Sequence, residues 1–150
     1  MAFKFGLDTV LKHRHRLEEM AQREFADAQG AVDACLLEIE RMYQRSDEVR
    51  EEIAVAERAG TPVKLAEVRE MEQFIGGQKI RIERLRLKAR ELLVAAEEKH
   101  EALILAAREK KILIKLKEKK LTEYKDWLQR IEAKELDDLT MVRIARRKRK

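Results

Sequence analysis

The amino-acid sequence predicts an all-α protein, a long antiparallel two-helix coiled-coil hairpin. Apolar residues recur at alternating spacings of three and four over most of the 150 residues, which is the pattern of a coiled-coil seam. Charged residues make up 42% and aromatic residues 5% of the chain, a composition that suits long helices better than a layered globular core. A single strong stop signal divides this helical pattern into two parts.

The stop signal is the segment Ala59-Gly60-Thr61-Pro62. Gly60 suits the left-handed position just past a helix end, and Thr61 can cap the next helix. Pro62 suits the first position of that helix, because no backbone N–H is needed there. Since so short a link requires the flanking helices to run antiparallel, we predict a hairpin that turns near Gly60.

The first helix is predicted over residues 7–58. Residues 1–6 are expected to fray, and Asp8 or Thr9 can cap the helix. Gly30 lies within the apolar pattern at a cost of about 1 kcal/mol relative to alanine, and Cys35 is expected to be a small core residue. The seam of this helix consists of Phe25, Ala28, Val32, Cys35, Ile39, Met42, Ser46, Val49, Ile53 and Ala56.

The second helix is predicted over residues 62–143, followed by a basic tail over 144–150. The adjacent Gly76 and Gly77 normally favour a break, but the apolar spacing keeps its phase across them. We therefore predict a mostly continuous helix with a weak or kinked point there, and the alternative is a short tip helix over 63–75 followed by a separate long helix. The seam consists of Leu65, Val68, Met71, Ile75, Gln78, Ile82, Leu85, Ala89, Leu92, Ala96, Lys99, Leu103 and Ala106.

The two seams can be aligned about the turn so that Ile39 faces Ile82. Because both seams sustain this register, it favours pairing within the chain and one domain over residues 1–150. If the turn is tight, Leu7 lies opposite Ile114 and the second helix overhangs by roughly 28 residues, or about 40 Å. An apolar stripe on such an overhang implies a protein partner. The stripe includes Leu128, Ile131, Leu136 and Leu139.

The sequence contains no pattern that predicts catalysis. We expect no enzyme activity, no cofactor, no metal and no small-molecule substrate, because no phosphate-binding loop and no zinc-spaced Cys/His cluster is present. The single cysteine suits a reducing compartment, and no apolar run approaches the ~20 residues of a membrane span. The sequence therefore predicts a cytoplasmic protein.

The excess of positive charge lies at the C-terminus. The formal net charge is +5, and no acidic residue follows Asp138. One interpretation is a solvated, disordered end, and the other is a surface for an anionic partner. Nucleic acid is the less favoured partner, because aromatic residues for base stacking are missing after Trp127.

Three segments have a distinctive order of apolar and charged residues. The N-terminus reads Phe5-x-Leu7-x-x-Val10-Leu11, and the middle reads Glu72-Gln73-Phe74-Ile75. The last segment reads Arg130-x-Glu132-x-Lys134-x-Leu136-Asp137-Asp138. With these segments the chain resembles, over essentially its whole length, the flagellar FliJ family, which is related to the stalk proteins of virulence-type secretion (the YscO group).

The resemblance implies a non-enzymatic central stalk of the flagellar type III protein export apparatus. Family members are antiparallel coiled coils similar to the central stalk of rotary ATPases. The resemblance implies that the end with both termini binds the export ATPase ring and promotes its assembly and ATPase activity. It also implies contacts with the cytoplasmic linker of the export gate and with export chaperones, at the inner-membrane base of the flagellum.

The resemblance also implies two partner-binding surfaces. The one for the ATPase would consist of Phe5, Leu7, Val10, Leu11, Leu17, Arg130, Lys134, Leu136, Asp137 and Asp138. The one for the export gate would consist of Met42, Tyr43, Arg45, Val49, Phe74, Gln78, Arg81 and Leu85. Several gate positions depart from the residue types of other members. Of the eight gate residues, four also belong to the predicted seam, namely Met42, Val49, Gln78 and Leu85.

Two other functions stay open on the sequence. A generic coiled-coil adaptor or chaperone for helical client proteins would depend less on the termini than on the turn. A coiled coil that binds nucleic acid through its basic tail would show binding that falls steeply with salt.

Overall fold

The computed structural model describes residues 2–149, and these residues form two α-helices. Helix α1 runs over Asp8–Ala59 and helix α2 runs over Pro62–Lys148. The two helices pack against each other, which confirms the predicted antiparallel helical hairpin. Only Gly60 and Thr61 lie between them.

The turn has the features that the sequence predicts. Gly60 has a φ of 66°, in the left-handed region that glycine adopts without steric cost. Its N–H donates a hydrogen bond to the carbonyl of Ala56 at 3.3 Å. The N–H of Lys64 donates to Oγ1 of Thr61, also at 3.3 Å, so Thr61 caps α2 and Pro62 is its first residue.

The chain divides into two compact units, each with a stretch of both helices. The terminal unit contains Met1–Glu19 and Leu105–Lys150, and the turn unit contains Met20–Ile104. In the turn unit, the ring of Phe25 lies 5.0 Å from that of His100, whereas Cys35 Sγ lies 3.4 Å from the carbonyl oxygen of Leu85. Partners on α2 therefore come earlier as α1 proceeds, which is the antiparallel arrangement.

The core of the turn unit is a narrow seam between the helices. Every buried residue in the described part of the chain belongs to the predicted seam, the polar positions included. Among the apolar residues of the predicted seam, Leu65 alone is exposed, with half of its surface accessible, because it lies in the first turn of α2. The buried residues are Val32, Cys35, Ile39, Ser46, Val49, Ala56, Val68, Gln78, Ile82, Ala89 and Ala96.

Helix α2 continues through Gly76 and Gly77, so the alternative of a separate tip helix over 63–75 is wrong. The preserved phase of the seam explains this continuity. Ile75 on one side is half-buried and Gln78 on the other is buried, so both stay on the packed face of one helix. A Cβ atom at either glycine would meet nothing within 4 Å beyond its chain neighbours and the nearby backbone of α2 itself.

Helix α2 also extends past the predicted end at residue 143, as far as Lys148. The segment predicted as a separate basic tail is therefore helical in most of its described part, and Lys150 lies outside the described residues. Arginine, lysine and alanine favour helix, and positive charge near a helix C-terminus interacts favourably with the helix dipole. These effects explain why the basic residues extend the helix.

Candidate partner-binding surfaces

The N-terminal segment packs on α2, although the sequence predicted that it would fray. Phe3 and Phe5 are half-buried, and the ring centroid of Phe3 lies 5.6 Å from that of Tyr124. Tyr124 lies 5.8 Å from Trp127, so three aromatic rings form a cluster. Burial of aromatic rings offsets the entropy lost when a terminal segment becomes ordered. The signal in the sequence was the pair of phenylalanines before the first helix.

Ion pairs join α1 to α2 within the terminal unit. Lys117 Nζ lies 3.2 Å from a carboxylate oxygen of Asp8, the first residue of α1. The hydrogen bond from Lys117 is the main cause that lowers the pKa of the Asp8 carboxyl, with Lys12 adding to it and desolvation opposing it. Two further pairs of this kind are Arg14 with Glu109 and Lys110 with Glu18.

The ten residues predicted for the ATPase surface all lie in the terminal unit, but they form two separate groups. The group on and before α1 lies where the helices are paired, and Phe5, Leu11 and Leu17 are half-buried there. The group on α2 lies past Tyr124, and all of its members are exposed to solvent. That second group consists of Arg130, Lys134, Leu136, Asp137 and Asp138.

The last part of α2 is a helix that α1 does not cover. Every residue from Glu132 to Arg149 is exposed, and 64% of the Leu136 surface is accessible. An exposed apolar stripe of this kind is typical of protein-binding surfaces. We call this stretch the exposed helix end. Its other exposed large apolar residues are Leu139, Met141, Val142 and Ile144.

The residues predicted for the export-gate surface lie in the turn unit, and the structure divides them by burial. Val49 and Gln78 are only 3% and 5% exposed, so neither can contact a partner while the helices are paired. The half-buried members of this set are Met42 and Leu85, and the exposed members are Tyr43, Arg45, Phe74 and Arg81.

The exposed gate residues lie on two edges of the seam. The guanidinium of Arg86 donates a hydrogen bond to the Tyr43 hydroxyl and lies 5.5 Å from the centre of its ring, so Tyr43 belongs to the edge that contains Arg86. By heptad position, Arg45, Phe74 and Arg81 fall on the opposite edge. A partner helix on one edge would therefore contact Phe74 or Tyr43, but not both.

Within residues 2–149, no group of three or more His, Cys, Asp or Glu side chains is placed to hold a metal ion. In the same part of the chain, neither helix combines the length and apolar character required to cross a membrane.

These features define a class of protein, a coiled-coil hairpin with an exposed apolar and basic helix end suited to binding other proteins. The family described as "Flagellar FliJ protein" matches residues 3–149, so the chain belongs to the FliJ family. It is therefore a component of the flagellar export apparatus, in a family whose role there is non-catalytic. Neither a curated protein nor a solved structure matches the chain.

Proposed function

We propose that the chain is the central stalk of the flagellar type III protein export apparatus and has no enzyme activity of its own. In this role it works in the cytoplasm, peripherally at the inner-membrane base of the flagellum. Its terminal unit binds the export ATPase ring, promotes ring assembly and raises ATP turnover. Its turn unit contacts the cytoplasmic linker of the export gate, and export chaperones are further partners.

The exposed helix end is the observation that supports this proposal most. Leu136, Leu139 and Val142 face solvent on a helix without a partner helix beside them. Full burial of a leucine or valine side chain is worth about 1.5–3 kcal/mol. Insertion of this helix into the pore of a ring would bury several such side chains at once, so apolar contacts would supply much of the affinity.

The positive charge of the exposed helix end also supports the export ATPase ring as the partner. Arg143, Arg146 and Arg147 are exposed, and no acidic residue follows Asp138. An acidic pore would attract this basic end before contact and align it during binding. We expect these arginines to affect the rate of association, and Leu136 to affect the lifetime of the complex.

The test measures ATP turnover and ring size of the flagellar export ATPase from the same organism, with and without this chain. We expect faster turnover and a shift to the hexamer when the chain is added. Leu136→Asp should weaken binding tenfold or more, because a buried charge replaces an apolar contact. Val55→Asp is the matched control, since Val55 is equally exposed at 64% and lies near the turn.

Circular dichroism shows whether each variant is folded. A folded Leu136→Asp variant that binds the ATPase as tightly as the wild-type chain would contradict the placement of this residue in the pore. Unchanged turnover together with no complex on a sizing column would contradict the stalk function as a whole.

A coiled-coil adaptor or chaperone for helical client proteins is the second candidate. It is favoured by apolar side chains exposed near the turn, such as Val63 at 70%. In that case Val55→Asp would weaken client binding, whereas removal of residues 132–150 would leave it unchanged. Unchanged client binding by Val55→Asp, together with a loss of binding on removal of residues 132–150, would exclude the adaptor function.

A further inference from the structure

The side of α2 that faces away from α1 in the turn unit has apolar side chains at a strict seven-residue spacing. Ile80, Leu87 and Val94 are 58%, 58% and 55% exposed. Seven residues make nearly two helical turns, so these three side chains form one row along the helix. The outward position of a two-helix coiled coil is ordinarily polar. We call these three residues the outer row.

On the two flanks of the outer row, the four charged residues nearest to Leu87 read the same in both directions from it. Glu83 and Arg84 precede it at the same distances at which Glu91 and Arg90 follow it, and all four are exposed. Glu83 pairs with Arg86 on its own helix at 2.8 Å. Within residues 2–149, the side chains of the other three form no ion pair or hydrogen bond.

We propose that a second copy of this chain binds along the outer row, with the two α2 helices antiparallel and a two-fold axis near Leu87. Leu87 then meets its own copy, and Ile80 meets Val94 of the second copy. In antiparallel helices the same flank of each helix faces the other. Arg84 therefore faces Glu91 of the second copy, and the flank of Glu83 faces Arg90, so that opposite charges meet on both sides of the axis.

The ends of the outer row favour the antiparallel direction. Parallel pairing would place Glu97 of one copy beside Glu98 of the other, and like charges at close range repel. Antiparallel pairing places these two glutamates over Gly76 and Gly77 of the other copy. Their aliphatic stems can then lie on the helix surface, because no side chain stands in the way.

This arrangement also gives the two glycines a role that the single chain does not. Glycine lowers helix stability in a helix interior. A Cβ atom at Gly76 or Gly77 would meet nothing within 4 Å beyond its chain neighbours and the nearby backbone of its own helix, so packing inside the hairpin does not require glycine at either position. Close approach of a second helix is a reason for small residues on an exposed helix face.

The proposed interface covers residues 76–98, which is about 34 Å of helix at 1.5 Å per residue. Three apolar residues from each copy bury less than the ~1,600 Å² of a standard interface. The dimer should therefore dissociate on dilution, with a Kd on the order of micromolar or weaker. This inference is independent of the proposed stalk function, because the outer row shares no residue with the two surfaces discussed there.

Sedimentation of the full chain over a range of concentrations tests the proposal. We expect a monomer–dimer equilibrium for the wild-type chain, and at least tenfold weaker association for Arg84→Glu and for Glu91→Arg. An equimolar mixture of these two variants should recover the dimer, because each altered flank matches the other. Glu51→Arg is the control: it makes the same change in charge at an exposed position of α1 and should leave association unchanged.

Cysteine cross-linking tests the direction of the two helices. In a Cys35→Ala background, Ile80→Cys or Val94→Cys alone should not form a dimer under a mild oxidant. A mixture of the two should do so, because these positions face each other across the axis. Self-cross-linking of each variant would show parallel pairing and overturn the proposal. A monomer at every concentration would overturn it as well, and would leave the outer row to a different partner helix.

Discussion

Asp8 accepts a hydrogen bond from Lys117 at 3.2 Å, and the two residues are 109 positions apart in the sequence. Lys12 lies 3.4 Å from the other carboxylate oxygen of Asp8. Both ammonium groups favour the ionised carboxylate, and the hydrogen bond from Lys117 is the larger cause of its lowered pKa. This contact fixes the first residue of α1 to α2 in the terminal unit.

The Asp8–Lys117 contact predicts a dependence on pH in acid. Because the pKa of Asp8 is lower in the folded state than the ordinary 3.8, the contact stabilises the fold above pH 3.8 and is lost as the pH falls through the folded-state pKa. Lys117→Met should raise the pKa of Asp8 towards 3.8, as measured by NMR titration of its carboxyl carbon. Lys120→Met, which removes a cation that pairs with Glu123, should not change it.

The effect of this contact on unfolding should be small, because both side chains are more than 40% exposed and exposed ion pairs contribute little. A pKa of Asp8 that is the same with and without the Lys117 ammonium would contradict the assignment of its cause.

The seam contains two buried polar atoms that have no hydrogen-bond partner among the described residues, Ser46 Oγ and Gln78 Oε1. An unpaired buried polar group costs about 1–3 kcal/mol. Gln78→Leu should therefore raise the free energy of unfolding by an amount in this range, measured by urea denaturation. Gln44→Leu changes an exposed glutamine of α1 and should give no such gain. A loss of stability in Gln78→Leu would show that the amide is paired in solution.

We expect the export gate to bind the turn unit along the edge of the seam that contains Phe74, because Tyr43 on the other edge already contacts Arg86. Phe74→Ala should weaken binding to the cytoplasmic linker of the gate about tenfold, because it removes the one large apolar side chain predicted for that edge. Calorimetry with the purified linker measures the change. Leu36→Ala, an exposed apolar residue on the other edge, is the matched control, and equal effects of both changes would contradict the assignment to one edge.

The two helical glycines predict opposite changes in stability and in association. Gly76→Ala together with Gly77→Ala should raise the free energy of unfolding of the monomer by about 1–2 kcal/mol, because alanine is the better helix former. The same pair of changes should weaken the proposed dimer, since each Cβ would meet the second copy. Gly30→Ala should raise the free energy of unfolding without changing association, because Gly30 lies in α1 with open space around it. Unchanged association in the double variant would count against the proposed role of the glycines.

Much of the fold could be predicted because a 3-4 spacing determines which residues share a helix face. The spacing placed even Ser46 and Gln78 on the seam, and both are buried there. The same reasoning favoured a continuous helix across Gly76 and Gly77, because a loop would have no reason to preserve the phase. The turn was predictable because Gly60 is followed at once by capping and proline signals.

Other features depend on interactions that a spacing does not show. The contact between Phe3 and Tyr124 joins residues that are distant in the sequence, so local propensity predicted a frayed end. The end of α2 was predicted at residue 143, too early by five residues, because basic residues favour both helix and solvated coil and no glycine or proline marks where the helix stops. The binding surfaces were harder to predict than the fold. The family resemblance assigned Val49 to the export-gate surface, although Val49 is buried between the helices.

The positions of the contacts along the chain have a consequence for the order of folding. Contacts near Gly60 join residues that are close in sequence, whereas Asp8 and Lys117 must close a loop of more than 100 residues. Because each layer formed next to the turn shortens the loop that the next layer must close, the hairpin should fold as a zipper from the turn towards the termini. Native-state hydrogen exchange reports local opening; it should then be slow at Ile39 and faster at Leu11, and equal rates would contradict preferential opening from the termini. In this order the Phe3–Tyr124 pair forms last and opens first. The two helix stretches of the terminal unit can then separate, and each can bind another protein, while the turn unit stays folded.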